Sequence, residues 1–287
     1  MGAALCDNSP DDCRADDKKP MLPPEARLSI NRCNLPAVIL GSPTYQRQPM
    51  PLEIDGVAEL HGALFRRLES INDPGNRADY FRDYLTVHFR LDNPEDAGLT
   101  GKSKARAKAT WRRMIRGWSF DSDSREGAVL KGWVESRFGL APRFHGEPLR
   151  DPSEPVYRRY LEMRSQGLYG TNALEAQFDL VYAYSQYEVV RQYPGRSHLT
   201  LHRGVNRVGE HEVLGKNAEG RKLMLFNNLN SFTGNRERAG EFGDYILSVE
   251  VPLTKIFFYC GLLPGVLQGE DEFLVIGGVY AVRQATI

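Results

Sequence analysis

The chain has 287 residues, 41% of them hydrophobic, and its 37 Lys+Arg are balanced by 37 Asp+Glu. That apolar content suits a sizeable buried core, and a zero net charge offers no general electrostatic case for nucleic acid or a membrane surface as partner. No apolar run approaches the roughly 20 residues that cross a bilayer. No charged-then-apolar leader opens the chain, and Cys6 stands where a myristoylation signal after Met1-Gly2 wants Ser or Thr, so a cytoplasmic protein is expected.

Residues 1–27 are rich in Asp, Pro and Lys and poor in large apolar groups. They bury too little surface to offset the entropy of ordering, which predicts a flexible tail. Pro36, Pro43, Pro49 and Pro51 keep the next stretch extended or turning. Val57, Leu60, Leu64 and Leu68 then recur at helical spacing, until Asp73-Pro74-Gly75 breaks the chain. Tyr80, Phe81, Tyr84, Leu85 and Val87 form a second apolar cluster.

Lys102 to Trp118 reads as a basic amphipathic helix. Ala107, Trp111, Met114 and Trp118 share one face, with Lys104, Lys108, Arg112 and Arg116 elsewhere. That basic side fits a solvated helix face or a surface for an acidic partner. Val156 to Arg191 looks helical again, with Phe178, Val181, Tyr182 and Val189 as its buried stripe, and Tyr193-Pro194-Gly195 ends it.

After Gly195 the period changes to that of strands. Leu199 and Leu201 alternate with Thr200 and His202; Leu223 and Leu225 with Lys222 and Met224; Tyr245, Leu247, Val249 and Val251 with Ile246, Ser248 and Glu250. Ile256 to Tyr259 and Phe273 to Ile276 are short apolar runs suited to buried strands. The pattern predicts an α+β fold in three stretches: a tail over 1–27, a mainly helical region over 28–195, and a β-rich core over 196–287.

Cys6, Cys13, Cys33 and Cys260 show no C-x-x-C spacing, which favours reduced, unpaired thiols. His211-Glu212-Val213-Leu214-Gly215 begins like a zinc-protease motif but has Gly215 in place of the second ligand, so no metal is expected. Gly101-Lys102-Ser103 resembles the end of a phosphate-binding loop, yet Asp96 occupies the place of its first glycine.

Three short motifs remain. Arg203 ends a predicted strand and precedes Gly204; a guanidinium fork suits phosphate oxygens, and a glycine admits a ligand close to the backbone. Taken alone, Arg203 reads as a strand-end arginine in solvent. Ser231 and Thr233 alternate on a predicted strand, so both hydroxyls face one side, within reach of a carboxylate or of solvent. Asn227, Asn228 and Asn230 make this stretch unusually polar for a buried strand, and Gly234-Asn235 turns into a short helix with Ala239 and Phe242. Glu270 and Glu272 stand two apart before the Phe273 run, and on a strand their like charges point the same way. That costs energy unless a cation or donor sits between them. Glu210-His211-Glu212 repeats the pattern in a Gly- and charge-rich segment and reads as a solvated loop.

In this order, Arg203-Gly204, Ser231-Phe232-Thr233 and Glu270-Asp271-Glu272 resemble the arginine–serine–glutamate signature of mono-ADP-ribosyltransferases, over roughly 199–278. In that group Glu-x-Glu goes with arginine as acceptor. Cys33-Asn34-Leu35-Pro36, the run Asp79 to Arg90, and Phe232-Thr233-Gly234-Asn235-Arg236-Glu237-Arg238-Ala239 look like the NAD(+)–dinitrogen-reductase ADP-D-ribosyltransferases, bacterial enzymes that switch off nitrogenase. This closer likeness covers most of the chain after the tail. Phe232 and Thr233 depart from the usual Thr and second Ser, which favours Ser231 over Thr233 as a functional residue.

The resemblance implies a core with a split NAD-binding cleft and NAD as substrate. Glu272 would stabilise the developing charge on ribose, Ser231 would orient Glu272, and Glu270 would receive the acceptor guanidinium. Arg203 would hold NAD phosphate, the Gly204 backbone the nicotinamide amide, and Thr233 would belong to the same NAD-binding strand. Arg236 would add a second phosphate contact or, just as readily, one charge on an exposed helix start. The implied partners are the nitrogenase iron protein as acceptor and a PII-type signalling protein as regulator, met by the helical region. An NAD glycohydrolase of the same fold and a non-catalytic NAD-binding regulator are the competing readings.

Overall fold

A computed structural model describes residues 21–92, 110–208, 211–267 and 271–286. Most of the predicted tail, the first half of the predicted basic helix, the Gly101-Lys102-Ser103 stretch and Glu270 lie outside the described residues.

The first part is helical: α1 (Ala37–Leu40), α2 (Pro43–Arg47), α3 (Val57–Glu69), α4 (Pro74–His88), α5 (Trp111–Phe120), α6 (Arg125–Phe138), the two-residue strands β1 (Arg143–Phe144) and β2 (Glu147–Pro148), α7 (Pro155–Leu168) and α8 (Leu174–Gln192). The helix starts carry local signals. Asp73, read as a breaker with Pro74, caps α4 by accepting from the Asn76 amide, and Ser124 caps α6 through the Gly127 amide. Gly139, with φ of 68°, closes α6 in the left-handed region that a helix end requires.

Three helical expectations are corrected. Leu60 and Val87 are each 77% exposed, while His61 takes the buried place beside Val57, Leu64 and Leu68. The buried stripe of α3 is Val57, His61, Leu64 and Leu68, and Leu60 falls outside it. The stretch Val156 to Arg191 is two helices, parted where Gly170 (φ 70°) and Ala173 (φ 47°) adopt left-handed backbone that cannot continue a right-handed helix.

The second part contains β3 (His198–Val205), β4 (Glu212–Lys216), β5 (Lys222–Thr233), the short helix α9 (Arg236–Gly240), β6 (Tyr245–Pro252), β7 (Ile256–Tyr259) and β8 (Glu272–Thr286). All pairings are antiparallel, in the order β4-β5-β3-β6-β8-β7, and β5 also pairs with β8. The ladder therefore closes on itself through β3, β6, β8 and β5. Met224 and Ile246, expected on outward faces, are buried; β5 is covered on both sides over most of its length, whereas Ser248 and Glu250 of β6 stay partly exposed. The architecture is α+β.

Helices and sheet share one apolar core. Phe81 of α4, Trp111 of α5, Trp133 of α6, Phe178 of α8, Phe257 of β7 and Val275 of β8 belong to a single buried cluster. Trp133 packs on Phe257 with ring centres 4.5 Å apart, and Phe81 stacks on Tyr184 at 3.9 Å. A bidentate ion pair joins α4 to α8: Arg77 donates to both carboxylate oxygens of Glu188, at 2.6 and 2.8 Å.

The polar run on β5 is a second joint. The ladder with β8 slips between Phe226 and Leu229, freeing the intervening asparagines from regular pairing. Asn228 donates to the carbonyls of Lys131 and Leu140 at 2.8 and 3.1 Å, and Asn227 makes two bonds to the Arg143 backbone. These side chains satisfy main-chain carbonyls of α6, of the residues just after it and of β1, and so belong to the fold. Among the described residues no helix is long and apolar enough to cross a membrane.

Lys255 is fully buried beside this sheet, its Nζ donating to the Gly277 carbonyl at 2.8 Å and lying 5.4 Å from the Tyr45 ring centre. Burial pushes its pKa from 10.5 down to about 7. The unfolded chain then binds more protons than the folded one across that interval, so this residue's contribution to stability rises as pH climbs from about 7 towards 10. Lys255→Met should remove that slope, up to about 1.4 kcal/mol per pH unit. Urea unfolding of both proteins at pH 7 and 9 checks this; equal pH slopes would contradict it.

Candidate active site

The register of the sheet brings the three sequence motifs together. Ser231 of β5 stands opposite Leu274 of β8, Thr233 stands opposite Glu272, and His202 of β3 pairs with Thr233 on the other edge of β5. Residues directly opposite in an antiparallel pair share a face, so Ser231, Thr233 and Glu272 lie on one side of the β5–β8 ladder.

Glu272 opens β8 and is only 7% exposed. Its carboxylate is held from two directions. Ser231 Oγ donates to Oε1 at 2.5 Å, and Ser119 Oγ, from the end of α5, donates to Oε2 at 3.0 Å. Trp118 Nε1, one residue earlier on α5, donates to Ser231 Oγ at 2.8 Å. Arg203 Nη1 donates to the Ser231 carbonyl at 2.8 Å, tying β3 to the same point. A buried carboxylate is costly unless donors replace water, and this one has them.

These groups line a cavity of about 540 Å³, within the size range of ligand sites. The sheet contributes Arg203, Gly204, Asn230, Ser231, Thr233 and Glu272 to its wall; α5 and the turn after it contribute Trp118, Ser119, Asp121 and Asp123; Lys131, Arg143, Gly146 and His211 line it as well. Lys131 is buried and donates to Asp123 Oδ1 at 2.5 Å. Burial lowers its pKa, opposed by the charges of Asp123 and Asp121. His202 Nδ1 lies 2.9 Å from Ser248 Oγ, and burial together with the cations Arg236 and Arg283 favours its neutral form.

Arg203 sits inside β3, which runs on to Val205, and not at a strand end. Gly204 has a packing reason to be glycine: a Cβ there would meet the Ala239 carbonyl at 1.9 Å, where α9 crosses β3. Thr233 Oγ1 accepts from the Asn235 amide at 3.1 Å and so shapes the turn into α9. Arg236 opens α9 on the exposed side and is not among the residues lining the cavity. The geometry of the acidic pair is also changed. Glu270 lies outside the described residues, and Asp271 has φ of 46°, so β8 starts at Glu272 and strand alternation does not run back through Asp271.

The second acidic pair is corrected too. Glu212 opens β4 and pairs with Leu225, and its carboxylate meets Arg143 at 3.9 Å and Arg150 at 3.4 Å. It is an edge-strand residue among arginines and not part of a solvated loop. Of the cysteines, Cys33 and Cys260 are free thiols, burial raising the pKa of Cys33, while Cys6 and Cys13 lie outside the described residues. Among the described residues, no three His, Cys, Asp or Glu side chains are grouped to hold a metal ion.

Sequence reasoning missed Ser119 as a partner of Glu272 and read Trp118 only as an apolar helix position. The two ends of the Ser119–Glu272 bond are 153 residues apart, and no spacing rule connects a helix end to a strand start over that distance. The signal available was the site of the residue: a serine directly after the last buried aromatic of an amphipathic helix.

Likeness to known proteins extends over both halves of the chain. The family model described as dinitrogenase reductase ADP-ribosyltransferase matches residues 30–284. The NAD(+)–dinitrogen-reductase ADP-D-ribosyltransferase of Rhodospirillum rubrum is 38% identical over 259 residues, covering 89% of this chain and 94% of that one. No solved structure matches. A match running from the first helices to the end of β8 takes in the helix that holds Glu272 as well as the strands that carry it, and the chain belongs to the dinitrogenase reductase ADP-ribosyltransferase family.

Proposed function

We propose that this enzyme breaks NAD at the nicotinamide–ribose bond and transfers ADP-ribose to an arginine of the nitrogenase iron protein; the name of its Rhodospirillum relative gives NAD and dinitrogen reductase as that protein's substrates. The observation that carries the reading is the Glu272 carboxylate, bonded by Ser231 on the wall of a cavity that also presents Arg203. In this reading, the strands of 196–287 form an ADP-ribosyltransferase core around a split NAD cleft. The helical region 28–195 supplies the contacts to the acceptor and to a PII-type regulator, in the bacterial cytoplasm.

The chemistry follows from charge. As the C1′–N bond of NAD lengthens, nicotinamide leaves neutral with the bonding pair and positive charge grows on the ribose. A fixed carboxylate beside the sugar, bonded to its 2′-hydroxyl, stabilises that charge as it forms. Glu272 has this role, and Ser231 holds it in place. Arg203 holds NAD phosphate, while Arg236, outside the cavity, is one charge on an exposed helix start; the Gly204 main chain meets the nicotinamide amide, and Thr233 sets the turn that ends the NAD-binding strand. An arginine nitrogen of the acceptor then attacks C1′. Free guanidinium, with a pKa above about 12, is a poor nucleophile, and Glu270 orients it and takes the proton released on attack.

Glu272→Gln should leave NAD affinity within a few-fold of wild type and lower transfer by about 10²–10³-fold, the scale lost when one transition-state charge contact is removed. Equilibrium NAD binding and initial rates with labelled NAD measure both, and retained transfer would contradict the role. Glu270→Gln should lose arginine transfer by about 10²-fold or more while keeping most NAD hydrolysis. Parallel assays of labelled protein and free ADP-ribose decide it, and equal loss of both reactions would count against an acceptor-side base.

A further inference from the structure

Two residues of the helical part touch the Ser231–Glu272 couple, and neither belongs to the three motifs. Trp118 and Ser119 are consecutive at the end of α5. Trp118 Nε1 donates to Ser231 Oγ at 2.8 Å, and Ser119 Oγ donates to Glu272 Oε2 at 3.0 Å. We infer that Trp118 and Ser119 are positioning residues for the reaction, fixing the Glu272 carboxylate from the helical side while β5 fixes it from the sheet side. This rests on the reading of Glu272 given above.

The donor inventory gives the direction of each bond. An indole N–H donates and never accepts, so Ser231 Oγ must accept from Trp118. Its single proton is then free to point at Glu272 Oε1, where the 2.5 Å separation places it. Without the indole, the Ser231 hydroxyl has other rotations open to it. Ser119 acts on the second oxygen. With Oε1 and Oε2 held by separate hydroxyls from separate elements, the carboxylate is fixed in rotation as well as in place.

Ser119 is an exposed residue with water available to it, and Trp118 is a buried one. The Ser119 bond is thus not forced by core packing, and removing the hydroxyl leaves the apolar face of α5 intact. A hydrogen bond to an ionised group is worth enough that its loss in the transition state lowers a rate by about 10–100-fold.

The test uses the full chain with NAD, measuring transfer to the iron protein and release of free ADP-ribose. Ser119→Ala should lower kcat of both reactions by about 10-fold or more, with KM for NAD changed far less and the thermal midpoint unchanged. Ser119→Thr, which keeps the hydroxyl, should restore most of kcat. Trp118→Phe should lower kcat in an otherwise wild-type chain and add little further loss in a Ser231→Ala background, because the indole acts only through that hydroxyl. Unchanged kcat in Ser119→Ala, or full additivity of Trp118→Phe with Ser231→Ala, would overturn the inference. Failure of the underlying reading looks different: wild type would show neither reaction, or Glu272→Gln would match it.

Discussion

Antiparallel pairing of β5 with β8 is the constraint on which the site depends. Ser231 and Glu272 are 41 residues apart, and only the register that sets Thr233 opposite Glu272 brings the hydroxyl and the carboxylate to 2.5 Å. Side chains on a strand alternate between faces, so a slip of one residue would move every member of the set to the wrong side. The register is pinned at several places. The Asn227–Asn228 bulge interrupts the ladder at one point, Gly277 faces the Asn227 carbonyl with no room for a Cβ, and β3 joins β5 through the His202–Thr233 pair.

The helical half completes the site instead of merely flanking it. The Asn227 and Asn228 side chains tie the β5 bulge to the end of α6 and to β1, while α5 reaches over the other end of the strand through Trp118 and Ser119. The main apolar core runs from α4 to β8 and takes in both halves, while a smaller cluster of Ala128, Phe144, Leu149 and Tyr160 packs α7 against α6 and β1. A displacement of α5 therefore reaches the carboxylate directly. The exposed arginines Arg112 and Arg116 stand on the same helix, away from its buried face, which leaves that face of α5 open to solvent while the other holds the site.

Much of this was legible in sequence, for reasons that can be traced. Strand alternation located β3, β5 and β6, the apolar runs located β7 and the start of β8, and the spacing of Trp111, Met114 and Trp118 gave the buried face of α5. Arg203, Ser231 and Glu272 were found because their order matches a known chemical layout, and the sheet does bring them to one cavity. What escaped were features set by long-range packing: the exposure of Leu60, the break at Gly170 to Ala173, and the conversion of Glu212 from a supposed loop residue to an edge strand among arginines. The asparagines of β5 were noticed as unusual, but their role needed the carbonyls of Lys131 and Leu140, which no local pattern names. Ser119 escaped for the same reason.

In the proposed reaction the cavity around Glu272 turns NAD into an ADP-ribosyl donor for arginine. Mass spectrometry of purified nitrogenase iron protein, after incubation with this enzyme, NAD and a PII-type protein, tests it most directly. The expected product carries ADP-ribose on an arginine side chain of the acceptor, at a single site. Free ADP-ribose with an unmodified acceptor, or adducts confined to other residue types, would contradict it.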